Sequence, residues 1–462
     1  MKSVDKFKRN MRISLGIFVT LFSVLIIYLG YSVVVYGSQW YATPYNPRIQ
    51  QAYKNISGGT VYDANGIRLA WSEGTTRRYH EEVDKRRALS HIMGDPAGIA
   101  AKGVETRFAK YLYGMDKDLV ERIEDLLAGK ESQGNDITLT VDAELSEYIY
   151  DNMDAKTGCI VVLNYKTGEI LANVSIPTFD PITLGKEEPV DTSLVDRATM
   201  GRYPPGSIMK IITASAAMEE GIDLSYECTG ECIIEGQKVT CSGGAHGALT
   251  LESAFTKSCN TYFANLSVKI GGSRLKKQAE KFGFNHQFKF AGDEIELYPS
   301  NFEVTSNEGD IGWAGVGQYN DLITPLHAAM IAGSIANDGV MMEPKLLKDV
   351  ARGGYAGFSF APTQYRRVLS AEMAGRVKEY MREVVQSGTD TAAGVSGVPI
   401  YGKTGTAEFM EDGQVKNHSW FVGFIDDNSK PYAVAVIFEG AGFGSRYAAP
   451  MAGKIFGYLA SH

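Results

Sequence analysis

Residues Ile13–Tyr36, ISLGIFVTLFSVLIIYLGYSVVVY, run for 24 positions without a charge. At 1.5 Å of rise per residue, a helix of that length crosses a hydrocarbon layer of about 30 Å. The apolar part of a cleavable secretory signal is shorter, about 7–15 residues, so the segment is expected to stay in place as an anchor. Lys2, Lys6, Lys8, Arg9 and Arg12 precede it, against one acid, Asp5. That bias predicts a cytoplasmic tail at residues 1–12 and puts the chain beyond residue 36 outside the membrane. The working part is therefore expected to be extracytoplasmic.

At 462 residues the chain has room for two or three domains, and 44% apolar with 22% charged residues is the balance of a folded protein. A net charge of −8 with no basic stripe argues against nucleic acid as a partner. Cys159, Cys228, Cys232, Cys241 and Cys259 are an odd number for an exported chain. A complete disulfide framework is impossible, so at least one thiol is free or ligates something.

Beyond the anchor, GSQWYATPYNPRIQQ is polar and proline-marked, as a linker is. Ala64-Asn65-Gly66 lies between alternating apolar runs and predicts a hairpin. Residues 85–130 carry helical spacing with mixed charge and no cluster of reactive groups, so 37–135 is expected to form a pedestal. From residue 136 the pattern becomes a strand, an amphipathic helix, and two β-rich runs around Asn164-Tyr165-Lys166-Thr167-Gly168. Ser207 to about Gly339 reads as mostly helical. VPIYGKTGTAEF, SWFVGFI and YAVAVIFE then read as strands, and AAPMAGKIFGYLASH as a closing helix. Two early strands, a helical middle, three late strands and a final helix describe one α/β domain over 136–462, with both ends of the segment in one sheet.

Within that domain YPPGSIMK raises a question. Ser207 is either a plain helix N-cap or a nucleophile with Lys210 as its base. Ser-x-x-Lys also occurs at Ser3–Lys6 and Ser273–Lys276, but only Ser207 leads into a strongly apolar helix that would bury its lysine. Residues three apart share a helix face, and burial favours the neutral amine that can accept a proton. Lys-Thr-Gly occurs three times; the copies at 156–158 and 166–168 flank the early hairpin, and that at 403–405 lies in a β-rich run. A strand edge with a glycine admits a substrate peptide. Between Ser207 and Lys403 sits Ser258-Cys259-Asn260, in a stretch read as helical. His418, near Lys403, reads as a structural strand residue.

Taken in order, Ser-x-x-Lys, Ser-x-Asn and Lys-Thr-Gly resemble the class B penicillin-binding proteins. YNPRIQ, TVYDANGIRLA, ITLTVDAEL, TGEILANVSIPTFDP, HGALTLESAFTKSCNTYF and GVGQYNDLITPLHAAMIAGSIANDG extend the likeness over nearly everything from residue 45. Ala64, where the family usually has arginine, and Met209 depart from its pattern without touching a reacting group. The resemblance implies a serine β-lactamase-like fold: a five-stranded antiparallel sheet with a helical subdomain, behind a transmembrane helix and a small α+β pedestal. It makes Ser207 a helix-start cap and the acylated nucleophile together, with Lys210 its base and Ser258 and Asn260 as proton relay and substrate clamp. Lys403, Thr404, Gly405 and Thr406 become the binding strand, and the backbone N–H groups of Ser207 and Thr406 the oxyanion hole.

The activity so implied is peptidoglycan D,D-transpeptidation, with stem peptides as substrate and β-lactams as covalent inhibitors. The alternatives are a D,D-carboxypeptidase or β-lactamase, for which no deacylating acid stands out, and a non-catalytic β-lactam sensor or scaffold. A polytopic membrane glycan polymerase is the implied partner. No cofactor is needed for the chemistry, but Cys228, Cys241, His246 and Cys259, spaced Cys-x12-Cys-x4-His-x12-Cys, form a set able to close a structural zinc site. A disulfide from Cys228 or Cys232 to Cys241 is the rival, and a buried neutral Cys259 the plainest option. Some elongation-type members of the family place a metal beside this motif, which favours zinc; Cys232 and Cys159 are left as non-ligands.

Overall fold

The computed structural model describes residues 2–41, 55–95, 97–100, 102–117, 121, 124, 125, 127–129, 133–186, 192–290, 295–353 and 356–462. One helix, Lys2–Tyr41, contains the stretch Asp5–Val33, long and apolar enough to span a bilayer. It runs on through Gly37 to Tyr41, where a polar linker was expected; YNPRIQ lies outside the described residues.

The first globular layer is a six-stranded sheet in the order Phe358–Ser359, Leu347–Ala351, Asp136–Leu139, Val61–Tyr62, Arg68–Glu73, Thr76–Tyr79. Its tight turn falls at Ala64-Asn65-Gly66, where Gly66 takes φ +87°. Short helices Val83–Ala88, Ser90–Met93, Val104–Arg107 and Ala109–Leu112 cover it, burying Val104, Phe108 and Leu112 against Val61, Leu69, Ile137 and Leu347. Parts of 118–132 lie outside the described residues. The pedestal is thus not one continuous stretch. Two of its strands return from beyond residue 346, a non-local pairing that a pass along the chain cannot see.

The second layer is a five-stranded antiparallel sheet in the order Ile400–Glu411, Gln414–Ile425, Tyr432–Phe438, Gly158–Asn164, Ile170–Ile176. Early and late strands join in one sheet, as the pattern predicts. Asn164 starts the early hairpin, its side-chain oxygen accepting the N–H groups of Lys166 and Thr167. The central strands read as unbroken apolar runs because both faces are covered. Against one face lies Pro325–Ala336, capped by Thr324 and buried along its whole length. The closing helix Ala448–Ser461 covers the other, with Ile455 and Phe456 against Ile160, Val162 and Val436.

The middle of the domain is less helical than expected. Between Lys210–Glu219 and Leu251–Thr256 stand four short strands, Tyr226–Cys228, Glu231–Ile234, Gln237–Thr240 and Gly247–Leu249. Glu235 at φ 44° and Gly236 at φ +81° turn the hairpin between the second and third. Positive φ at both turn residues is the two-residue geometry that suits a twisted ribbon, and glutamate in its first position hides the signal.

Candidate active site

Pro204, Pro205 and Gly206 bring the chain to an abrupt corner. Gly206 takes φ +54° and its N–H donates to the Gly317 carbonyl at 2.9 Å. A β-carbon on Gly317 would stand 2.1 Å from the Gly206 oxygen, so the two loops touch backbone to backbone. Ser207 follows inside a 3₁₀ turn, Gly206–Met209, and the α-helix begins only at Lys210. Ser207 therefore does not cap the helix, and the N-cap part of the expectation is corrected. The tighter turn eclipses residues three apart, which keeps Ser207 and Lys210 on one face.

Lys210 is fully buried. Its Nζ lies 2.7 Å from both the Ser258 carbonyl oxygen and Asn260 Oδ1, and 3.2 Å from Ser258 Oγ. Among the described residues nothing is hydrogen-bonded to the Ser207 hydroxyl; the expected Lys210–Ser207 contact is replaced by contact with the Ser-x-Asn motif. Burial pushes the Lys210 ammonium well below its usual range, and the neighbouring Lys403 pushes it further. Lys403 is also fully buried and donates to Ser258 Oγ at 3.0 Å and to the Thr404 carbonyl at 3.2 Å. Two lysines from opposite walls thus meet on one hydroxyl.

Ser258 is not within a helix, as expected, but in the break between Leu251–Thr256 and Asn260–Ile270. It takes φ +52°, a strained choice for a residue with a β-carbon, and that turn aims its hydroxyl between the lysines. Asn260 opens the next helix and donates to the Thr240 carbonyl at 2.9 Å. Lys403–Thr406 lie in the edge strand Ile400–Glu411, paired on one side only. A β-carbon on Gly405 would come 2.7 Å from the Pro205 oxygen, so glycine lets the strand lie against the Ser207 corner.

Three supports carried no sequence signal beyond their residue type. The Trp420 indole donates to the Pro204 carbonyl at 3.0 Å, and the Gln318 amide to the Thr406 carbonyl at 3.3 Å. Buried Asp390 accepts from both the N–H and the hydroxyl of Thr404. His418 is structural: its ring stacks on Phe409 at 3.9 Å between centroids, and burial lowers its pKa to about 4.

Cys228, Cys241, His246 and Cys259 come together beside the Ser-x-Asn turn, their ligand atoms within 4.8 Å of one another. Cys241 Sγ is 3.6 Å from Cys259 Sγ and 3.9 Å from Cys228 Sγ, and Cys228 Sγ is 3.6 Å from His246 Nδ1. The five cysteines carry no disulfide in this structure, where the Cys228 and Cys241 sulfurs of the rival pairing lie 3.9 Å apart. Cys159 lies apart in the central sheet, and Cys232 meets the Asn265 amide.

The family model described as the penicillin-binding protein transpeptidase domain matches residues 158–457. The chain is 29% identical over 436 residues to the peptidoglycan D,D-transpeptidase PbpA of Mycolicibacterium smegmatis, covering 87% of each chain. It is 30% identical to PbpA of Mycobacterium tuberculosis over 357 residues, 71% of this chain and 72% of that protein. The solved structure of penicillin-binding protein A from M. tuberculosis, a ceftriaxone acyl-enzyme complex, superposes with a TM-score of 0.80 at 26% identity, over 89% of this chain and all of that one. With a matching domain over most of its length and a shared fold, the chain belongs to the penicillin-binding protein transpeptidases, as a member of class B.

Proposed function

We propose that this protein is a peptidoglycan D,D-transpeptidase that joins stem peptides through an acyl-enzyme on Ser207 and is trapped there by β-lactams. The observation that carries the assignment of roles is the convergence of Lys210 and Lys403 on the Ser258 hydroxyl, at 3.2 and 3.0 Å. A neutral Lys210 amine has two hydrogens for the Ser258 and Asn260 oxygens and a lone pair for a proton. Ser207 Oγ attacks the carbonyl carbon of the penultimate D-alanine, and its proton passes to Lys210. As the C–N bond breaks, the departing D-alanine amine takes a proton from the Ser258 hydroxyl, which recovers one from Lys210. The acceptor amine then attacks the ester, giving up a proton that returns to Ser207 Oγ through the same pair. In a β-lactam the cleaved amide is part of a ring, so the leaving group stays attached and the ester persists.

Strand geometry supports the oxyanion assignment. Thr404 turns its N–H outward to Asp390, and the two-residue period of a strand puts the Thr406 N–H on the same open edge, facing the Ser207 corner. The Thr406 hydroxyl accepts from the Gly444 N–H at 3.2 Å, which leaves its own hydrogen for a substrate carboxylate beside Lys403. Asp390, the buried carboxylate that acts on Lys403, is engaged with Thr404 and is not placed to activate water on the ester. Mass spectrometry of the detergent-solubilised chain with penicillin tests the reading: a long-lived adduct on Ser207 is expected. Rapid release would turn it towards a β-lactamase, and an adduct on another residue would refute the assignment.

In the proposed organisation residues 1–12 form a cytoplasmic tail and 13–36 an anchor; 37–135 make most of the pedestal, completed by the strands Asp136–Leu139, Leu347–Ala351 and Phe358–Ser359, and the rest of 136–462 is the extracytoplasmic catalytic domain. Cross-linking consumes peptides carried on growing glycan, which makes a polytopic glycan polymerase the proposed partner. The four ligand atoms of Cys228, Cys241, His246 and Cys259 are proposed to hold a structural Zn2+. Tetrahedral zinc with Zn–S of about 2.3 Å separates its sulfurs by about 3.8 Å, and the thiol spacings here are 3.6 and 3.9 Å. Such an ion takes no part in the reaction; it would tie the four-stranded insertion to the turn that carries Ser258. Metal analysis with thiol counting tests this, with one zinc per chain and a lower melting temperature after chelation expected. A metal-free protein with a Cys241 disulfide would refute it.

A further inference from the structure

The catalytic cluster holds two buried lysines, and among the described residues Asp390 is the buried carboxylate that acts on either of them. It sits in the loop after helix Ala371–Gln386, where its N–H donates to the Val384 carbonyl at 3.1 Å. Its side chain is surrounded by donors. Oδ1 accepts from the Thr389 hydroxyl at 2.7 Å and from the Thr404 hydroxyl, and Oδ2 from the Thr404 N–H. Burial pushes the Asp390 carboxyl above its usual range, and Lys403 with the Thr404 and Thr389 donors opposes that shift; an ionised carboxylate accepts and does not donate, so the three donors favour the charged form.

From this geometry we infer that Asp390 is a positioning residue, whose carboxylate locks the Thr404 segment of the binding strand and keeps Lys403 as the ammonium that faces the substrate. The inference rests on the substrate-facing role proposed for Lys403 and deepens it.

The charged groups around Lys403 are few. Lys210 faces it from the nucleophile helix and Asp390 from the loop, while the Cys241 and Cys259 thiols act on Lys210. Burial drives Lys403 towards the neutral amine, and Asp390 opposes it. The carboxylate therefore separates the roles of the two lysines: the one on its side stays charged, and the one across Ser258 becomes the amine. The same contact has a consequence for recognition. With its hydrogen given to Asp390, the Thr404 hydroxyl has none left for an incoming carboxylate, which falls to Lys403 and Thr406.

The test is the pH dependence of Ser207 acylation by a fluorescent penicillin on the full-length chain in detergent, for the parent, D390N, D390E and K403R. In the parent, acylation is expected to fall at alkaline pH as Lys403 loses its proton. D390N should move that limb down by about one to three pH units, and D390E should restore it. K403R, whose guanidinium does not deprotonate, should lack the limb, a result that stands even where D390N does not fold. A limb unmoved in folded D390N, with the rate lowered equally at every pH, would reduce Asp390 to a structural part and overturn the inference. A limb retained in K403R would do the same. Failure of the parent to label Ser207 at any pH would instead sink the transpeptidase reading itself, and the two failures are told apart by that first measurement.

Discussion

Ser258 offers a pair of substitutions that separate its effects on stability and on catalysis. Its φ of +52° lies in the left-handed region, where a β-carbon crowds the following carbonyl at a cost of about 1–2 kcal/mol. Ser258→Gly removes that strain, against roughly 0.5–1 kcal/mol for the extra freedom of glycine in the unfolded chain. Ser258→Ala removes the same hydroxyl but keeps the β-carbon. In both variants Lys210 retains the residue-258 carbonyl and Asn260, and Lys403 retains the Thr404 carbonyl, so hydrogen-bond losses cancel between them. The glycine variant should therefore be more stable than the alanine variant by roughly 0.5–1 kcal/mol, a difference on the order of 2 °C in melting temperature. Acylation should be slowed alike in both, by about 10²-fold or more, because the lysines lose their shared hydroxyl. Thermal melting and time-resolved penicillin labelling read the two effects separately. An alanine variant as stable as the glycine one would refute the strain argument. Labelling at the parent rate in either would refute the relay.

Other outcomes follow from the same geometry. Lys210→Ala should leave a folded protein whose Ser207 is acylated about 10²–10⁴-fold more slowly, measured by the same labelling. Gly405→Ala should press on the Pro205 oxygen, 2.7 Å from the new methyl, and displace the strand edge from Ser207; roughly a 10²-fold loss of acylation is expected. His327 is fully buried, with Nδ1 at 2.7 Å from Ser300 Oγ and Nε2 at 2.8 Å from the Phe282 carbonyl, and burial lowers its pKa to about 4. The unfolded chain, with histidine near 6.5, then binds more protons between the two values, so stability should fall as pH drops from about 6.5 towards 4. Melting curves of His327→Gln should be flatter across that window.

Local features of the chain were legible without a structure. The uncharged run before residue 36 predicted a helix long and apolar enough to cross a membrane, because length and composition alone set that. Two early and three late β-rich runs around a helical middle were enough to place both ends of the domain in one sheet. The order of Ser207, Lys210, Ser258, Asn260 and Lys403 pointed to a nucleophile with its helpers, the roles proposed above, since each carries its chemistry in its residue type. The thiols and imidazole of Cys228, Cys241, His246 and Cys259 were noticeable for the same reason. What depended on distance in space was not legible. Ser207 was taken for a helix cap, but backbone contact between Gly206 and Gly317, more than a hundred residues apart, forces a 3₁₀ turn instead. Ser258 was placed within a helix, but the chain must break there to aim one hydroxyl at two lysines. The pedestal was drawn as one segment, though strands from beyond residue 346 complete it. Asp390 lies in SGTDTAAG, a stretch that reads as an ordinary loop. Only the fold lays it against Thr404, because a buried carboxylate is defined by the donors around it, and two of the three come from a strand that the sequence brings no nearer than fourteen residues.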